Sequence, residues 1–423
     1  MLDLRAIRED PGPARAALAR RGAGEALDEL LSLDARRREL LPEVEGRRAQ
    51  QNEASAEIAA SKRAGGDASA VIQRMQALST EVKGMQAELA DVEQRRDQLA
   101  ATLPNFPDPQ APDGGEEDAV TLREVGQPRE CDFEVRDHVE IASEHGWIEM
   151  EKAAAGSGSR FAYLLGDLVM VELALIRFAV ETVRAEGFTP VVPPVLVRDG
   201  PLYGTGFFPG EREMIYEVER DELFLVGTSE VSLAALHADE ILDAADVPRR
   251  YVGISTCFRR EAGAAGKDTR GIFRVHQFDK VEMYSFVSPA ESSAEHERIL
   301  AIEEAILTAL ELPYRVVDIA IGDLGAPAAR KFDCEAWIPS QQRYRELTST
   351  SNTTDYQARR LGARFRPHHE APTEVLHTLN GTAVAVGRTL IALIENGQQA
   401  DGSVRLPPAL VTAGAPAVIG VTP

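Results

Sequence analysis

Seven apolar residues, Val71, Met75, Leu78, Val82, Met85, Leu89 and Val92, recur at alternating steps of four and three. A seam of that kind, kept over three heptads, commits the segment to a helix lying along a partner helix. Upstream, Leu30, Leu41, Val44 and Ile58 continue it less regularly, around a polar middle of Arg48, Gln51 and Ser55. SKRAGGDAS, residues 61–69, interrupts it with two glycines. The pattern predicts an antiparallel helical hairpin with arms of about 35 residues, roughly 50 Å each. Asp34/Arg38, Glu43/Arg47 and Asp91/Arg95 are i,i+4 pairs of the favourable polarity. Arginines cluster here (Arg36, Arg37, Arg38, Arg47, Arg48, Arg95, Arg96) without any catalytic grouping. Such a hairpin is either a dimerising coiled coil or a projecting arm for a large partner, and the pattern leaves both open.

The net charge of −22 argues against a chain coated in basic surface for nucleic acid. The charge is uneven: residues 1–101 hold 16 Lys and Arg against 18 Asp and Glu, so nearly all of the excess lies beyond them. Any nucleic-acid contact is therefore expected to favour the first hundred residues and local basic spots. LPNFPDPQAPDGGEED then reads as a linker without helical period. The expected organisation is a helical domain over 1–103, a linker over 104–118 and a second domain over 119–423. With 44% hydrophobic residues the chain can build a full core, and no run approaches the apolar length of a spanning helix. MLDLRAIRED lacks a signal-peptide core, and Cys131, Cys257 and Cys334 form neither a disulfide framework nor a zinc spacing. A reduced, cytoplasmic protein is the expectation.

Beyond the linker, helices are predicted over Asp132–Ser143 and Leu164–Glu186. FTPVVPPVLV fits only a sheet edge or a strand start. Period-two segments follow at hairpin-like spacings, which favours an α+β fold with an antiparallel sheet flanked by helices. No dinucleotide-binding or P-loop signature follows a strand.

The densest chemistry lies in CFRREAGAAGKDTRGIFRVHQFDKVEMYSF. Two strand-like runs flank a Gly-rich basic loop. Arg259 and Glu261 share one strand face; Arg274, His276, Phe278, Lys280 and Glu282 share another. That face offers guanidinium groups for phosphate, an aromatic plate for a base and carboxylates for amines. In LNGTAVAVGRTLIALIENGQQADGS, Asn380 and Thr382 share a strand face, and Arg388 opens a helix closed by Gly397. An arginine there is unfavourable unless an anion is near, so Arg388 is expected to face a phosphate. Thr228 beside Glu230 suits an ammonium group, and Glu346 with Ser349 offers oxygen ligands for Mg²⁺, though each pattern is weak alone. With no nucleophile in prospect, these groups point to catalysis by positioning and charge stabilisation.

Taken together, the hairpin, LPNFPD, GSRFAYLLGD, the TSE triplet, FRREAG with DTRG and RVHQFDKVE, RELTSTSN and the LNGTAVAVGRT segment occur in one order. In this the chain resembles the bacterial-type seryl-tRNA synthetases, class II aminoacyl-tRNA synthetases, over about residues 1 to 410. The resemblance implies a homodimer, with Pro194 at the dimer interface. It implies an ATP site of Arg259, Arg260, Glu261, Val275, Phe278, Glu346, Leu347, Thr348, Ser349 and Arg388. Within it, Arg259 would grip the α-phosphate, Glu261 the adenine amino group, Phe278 would stack on adenine and Arg388 would hold the far phosphates. Glu346 and Ser349 would hold Mg²⁺. Thr228, Ser229, Glu230, Glu282, Asn380 and Thr382 would hold serine.

The implied reaction is ATP-dependent ligation of L-serine to serine tRNA, and to selenocysteine tRNA where one exists, through seryl-adenylate. The hairpin would lie along the tRNA's long variable arm, read by shape and backbone. Thr382, Ala383, Gly227 and Gly397 depart from common family residues without removing a charged contact. A ligase that loads a carrier protein would lack the hairpin, and a non-catalytic paralogue would have lost Arg259, Glu261 or Arg388.

Overall fold

In the computed structural model, which describes residues 2–262, 268 and 270–421, the heptad segment is one unbroken helix, Ser69–Thr102 (α2). Its partner is the 40-residue helix Gly24–Arg63 (α1), about 60 Å long. Leu27, Leu30, Leu33, Leu40 and Val44 of α1 and Leu78, Val82 and Val92 of α2 are buried. Leu40, not Leu41, takes the inward position, seven residues on from Leu33. Of the expected i,i+4 pairs, Asp34/Arg38 and Asp91/Arg95 form, while Arg47 reaches across the hairpin to Glu81 at 3.1 Å. Arg36 and Arg37 likewise cross to Glu88 and Glu93. Residues 2–103 make up one compact unit and the residues from Pro104 on make up a second.

The second unit is built on an eight-stranded sheet. Numbering its strands alone, β1 is Val120–Val125, β2 Thr189–Val191, β3 Arg249–Phe258, β4 Gln277–Val287, β5 Tyr314–Asp318, β6 Arg330–Ile338, β7 Arg343–Thr354 and β8 His377–Ala385. They lie in the order β1-β5-β6-β7-β8-β4-β3-β2. Every pairing is antiparallel except β2 with β3. Edge strand β2 holds Pro190, whose missing N–H costs least at an edge.

Four further helices position the site: His138–His145 (α3), Asp167–Ala185 (α4), Ser292–Ala309 (α5) and Val386–Gly397 (α6). Two start later than predicted. Asp137 caps α3 in a capping box with Glu140, and Gly166, at φ 58°, turns the chain into α4. The core lies between sheet and helices and takes in Leu175, Ile299, Leu390 and Ile394. Asn105 ties residues after Pro104 into this unit, its amide donating to the Pro327 and Thr353 carbonyls. The apolar tail belongs to the same core: Val404–Arg405 pairs with Val418–Ile419, and Leu410 and Ile419 are buried. Gly397, the last residue of α6, keeps φ outside the left-handed region. A side chain there would strike the Arg405 carbonyl, so the approach of this strand pair explains the glycine.

Candidate active site

β3 and β4 pair with Phe278 opposite Cys257 and Glu282 opposite Gly253. Alternation along β4 puts Phe278, Lys280 and Glu282 on one face. β8 flanks β4 on its other side, with Thr382 opposite Glu282 and Ala385 opposite Lys280. The count between those pairs shows a bulge at Ala383, which turns into the core and leaves Thr382 and Ala385 on the site face. A second bulge acts on β7. Glu346 pairs with Glu335 and Thr348 with Cys334, so Leu347 is the extra residue. Without it Glu346 and Ser349 would face opposite ways; with it they face the same way.

One cleft collects most of these side chains. Arg259, Glu261, Val275, Phe278, Lys280, Glu346, Leu347, Ser349, Thr382 and Arg388 line it. Arg259 and Glu261 sit just past β3, which ends at Phe258. Glu261 takes φ 50°, in the left-handed region that few non-glycine residues adopt. Its carboxylate accepts from Arg274 Nη1 at 2.6 Å. Arg259 Nε donates to the Gly227 carbonyl at 3.3 Å, and its guanidinium lies 5.3 Å from the Phe278 ring centroid. A Cβ at Gly227 would meet only ordinary contacts, so nothing around that position requires a glycine. Arg388, in the first turn of α6, donates to the Glu346 carbonyl at 3.1 Å, stands 3.3 Å from its carboxylate and lies over Phe273. Burial would raise the Glu346 carboxyl, but the charges of Arg388, Lys331 and Arg259 hold it below its ordinary value.

Glu230 and Asn380 line a second, separate cavity with Glu211 and Ser351, and around them two carboxylates are paired. Asn380 Nδ2 donates to Glu230 at 3.2 Å and to Glu282 at 3.4 Å; Gln357 Nε2 donates to Glu230 at 2.7 Å. Thr382 Oγ1 lies 3.5 Å from Glu282, and Lys280 pairs with Glu282. Burial and the Glu282 charge push the Glu230 carboxyl up to about 7. Among the described residues, Asn380 Oδ1 is buried without a hydrogen-bond partner, an acceptor open to a donor brought by a ligand. Thr228 Oγ1 accepts the Glu230 amide at 3.2 Å.

The structure does not bring every expected residue to the cleft. Thr348 turns to the opposite side of the sheet, where its hydroxyl donates to buried Glu303 at 2.8 Å. Ser229 lies buried against Gly253. Arg260 is exposed, its amide donating to the Met214 carbonyl. The TSE triplet is a turn into the short helix Glu230–Ala234. His276, expected on the strand face, precedes β4; its Nδ1 lies 2.9 Å from the Arg259 carbonyl and braces it from behind. Residues 263–267 and 269 of the Gly-rich loop lie outside the described residues. Gln357, on the short helix Tyr356–Leu361, belongs to no motif and carries no signal in the sequence.

An antiparallel sheet carrying a phosphate-type arginine cleft beside a polar pocket is the catalytic core of a class II aminoacyl-tRNA synthetase, and residues 215–397 match the tRNA synthetase class II core domain (G, H, P, S and T). Residues 1–107 match the seryl-tRNA synthetase N-terminal domain. The serine–tRNA ligase of Acidothermus cellulolyticus is 51% identical over 411 residues, and that of Nocardia farcinica 50% over 412, each alignment covering 97% of both chains. The crystal structure of seryl-tRNA synthetase from Pyrococcus horikoshii complexed with ATP superposes with a TM-score of 0.90 at 39% identity, covering all of both chains. The chain belongs to the seryl-tRNA synthetase family.

Proposed function

We propose that the chain joins L-serine to the 3′ end of serine tRNA in two steps, using ATP. The serine carboxylate attacks the α-phosphate, pyrophosphate leaves, and seryl-adenylate remains; a terminal ribose hydroxyl of the tRNA then attacks the adenylate carbonyl, the acyl–phosphate bond breaks as AMP leaves, and the hydroxyl proton is released. No protein nucleophile takes part. The observation that carries this reading is the single cleft lined by Arg259, Phe278 and Arg388 together with Lys280 and Thr382, which hold the buried Glu282 behind it. Arg259 offsets charge on the α-phosphate, Phe278 stacks on adenine, and Glu261 accepts from the adenine amino group. Arg388 serves the outer phosphates, and its present anion, Glu346, supports that role. Thr228, Glu230, Glu282, Asn380 and Thr382 serve serine. Buried groups that await a hydroxyl reject an analogue without one by a factor of about 10⁴.

Glu346 and Ser349, turned to one face by the bulge at Leu347, form an all-oxygen donor pair, and Glu346 is kept ionised. That donor chemistry fits Mg²⁺. Held by these two residues, the ion would neutralise phosphate charge. The N-terminal hairpin is assigned to the tRNA's long variable arm, and domain limits of 1–103 and 119–423 follow that division of labour. The substrates place the reaction in the cytoplasm, and no helix among the described residues is long and apolar enough to cross a membrane. Pyrophosphate exchange run across the twenty amino acids tests the reading. Exchange is expected with serine alone, and Arg259→Ala is expected to lower it about 100-fold or more. Full exchange in that variant overturns the role given to Arg259.

A further inference from the structure

Lys280 has no role in the reaction as set out above, yet it is the cation set against the amino-acid pocket. It is 7% exposed, and its ammonium pairs with Glu282, which is fully buried. It stands on β4 between Phe278, at the nucleotide end, and Glu282, at the serine end, and lines the same cleft as Arg259 and Thr382. Toward Glu282 it plays the part that a substrate ammonium has to play.

An α-ammonium seated between Glu230 and Glu282 therefore competes with Lys280 for the same carboxylate. Displaced, Lys280 would be left as a buried, unpaired cation, which is costly. The substrate supplies the remedy, because an α-amino acid carries a carboxylate on the carbon that bears its ammonium. The lysine stem is flexible and its ammonium can turn to a new partner without leaving the cleft. Arg259, lining the same cleft, marks where the α-phosphate belongs on the reading above. We propose that Lys280 exchanges Glu282 for the substrate's α-carboxylate, and so positions the nucleophile for its attack on the α-phosphate. The inference rests on the serine-activating reading given above.

L-Serinamide tests it, since it keeps the ammonium and the hydroxyl but has no carboxylate. In pyrophosphate exchange by the full-length enzyme, Lys280→Met is expected to raise the KM for serine about 30-fold, the worth of one charged contact. The inhibition constant for serinamide should fall rather than rise, since its ammonium no longer competes with Lys280 for Glu282; the KM for ATP should change less than about threefold, and Lys280→Arg should recover most of the serine KM. Parallel weakening of serine and serinamide would show that Lys280 merely holds Glu282 in place, and an unchanged serine KM would show that it touches nothing; either result overturns the proposal. Should Lys280→Met fail to fold, calorimetry on Arg259→Ala gives the second reading. There the preference for serine over serinamide must survive, because Lys280 remains; its disappearance overturns the proposal. Wild-type enzyme without any serine-dependent exchange would instead remove the serine reading itself.

Discussion

Asn380 shares one amide nitrogen between two carboxylates, Glu230 and Glu282. This sharing is possible only while the pair carries less than two full negative charges, or has a cation beside it, as Lys280 provides. Glu230, raised from its ordinary 4.5 to about 7 by burial and by Glu282, is where the proton goes. The consequence has a definite sign. The folded protein holds that proton more tightly than the unfolded chain, so this group's contribution to stability falls as pH rises from 4.5 to about 7. Serine binding needs the ionised form. The kcat/KM for serine is therefore expected to climb as pH passes through about 7, and Glu230→Gln should abolish the inflection while raising the melting temperature at pH 8. A pH profile that keeps its inflection in Glu230→Gln would assign the titration elsewhere. At this scale much was legible beforehand: Arg259, Phe278, Glu282 and Arg388 announce themselves by charge type at fixed spacing. Gln357 did not, because a hydrogen bond between elements far apart in the chain, such as its bond to Glu230, leaves no periodic trace.

Two bulges, each one residue long, decide which side chains meet. Period-two reading assigns Glu346 and Ser349 to opposite faces; the extra Leu347 reverses this. Thr348, in consequence, points at Glu303 on α5, a carboxyl that burial pushes well above its ordinary value and so keeps neutral. The strand and helix classes were legible from alternation and heptads, but the bulges were not, since one inserted residue has no compositional mark. The same layer holds Gly381 on β8. A methyl there would collide with Ile299 and stand 2.8 Å from the Glu303 carboxylate, both on α5. Gly381→Ala should therefore destabilise the fold by roughly 1–3 kcal/mol, the usual cost of overpacking, and displace the Asn380–Thr382 strand. Denaturant titration reads the first effect and a raised serine KM the second; an unchanged midpoint would mean that α5 yields without cost.

At the scale of the whole chain, most arginines of the hairpin that cross between α1 and α2 are matched to glutamates there, so the arm carries little net charge on an acidic protein. Removing residues 27–101 should leave serine-dependent pyrophosphate exchange within about threefold and abolish tRNA charging; surviving charging would make the hairpin a structural coiled coil. The second unit shows large apolar side chains to solvent: Met170 and Leu173 on α4, and Val192, 81% exposed, just after β2. A second copy of the chain is the partner we assign to them. Leu173→Glu with Val192→Asp should shift the protein to monomer in sedimentation and lower charging; a dimer that persists would place the interface elsewhere. The break between the two units was readable from composition, whereas the destination of the apolar tail was not, because a short apolar stretch does not say which groove will receive it.

That tail also sets the order in which a newly made chain can mature. The hairpin closes on contacts among residues 24–102 and can form while translation continues. The sheet layer cannot seal until residue 419 has left the ribosome, because Ile419 fills its interior and Val404 waits for it as a strand partner. The half that binds nucleotide is thus the last to be finished, and a ribosome stalled short of that point would hold a chain with its arm complete and its hydrophobic interior exposed to chaperones and proteases.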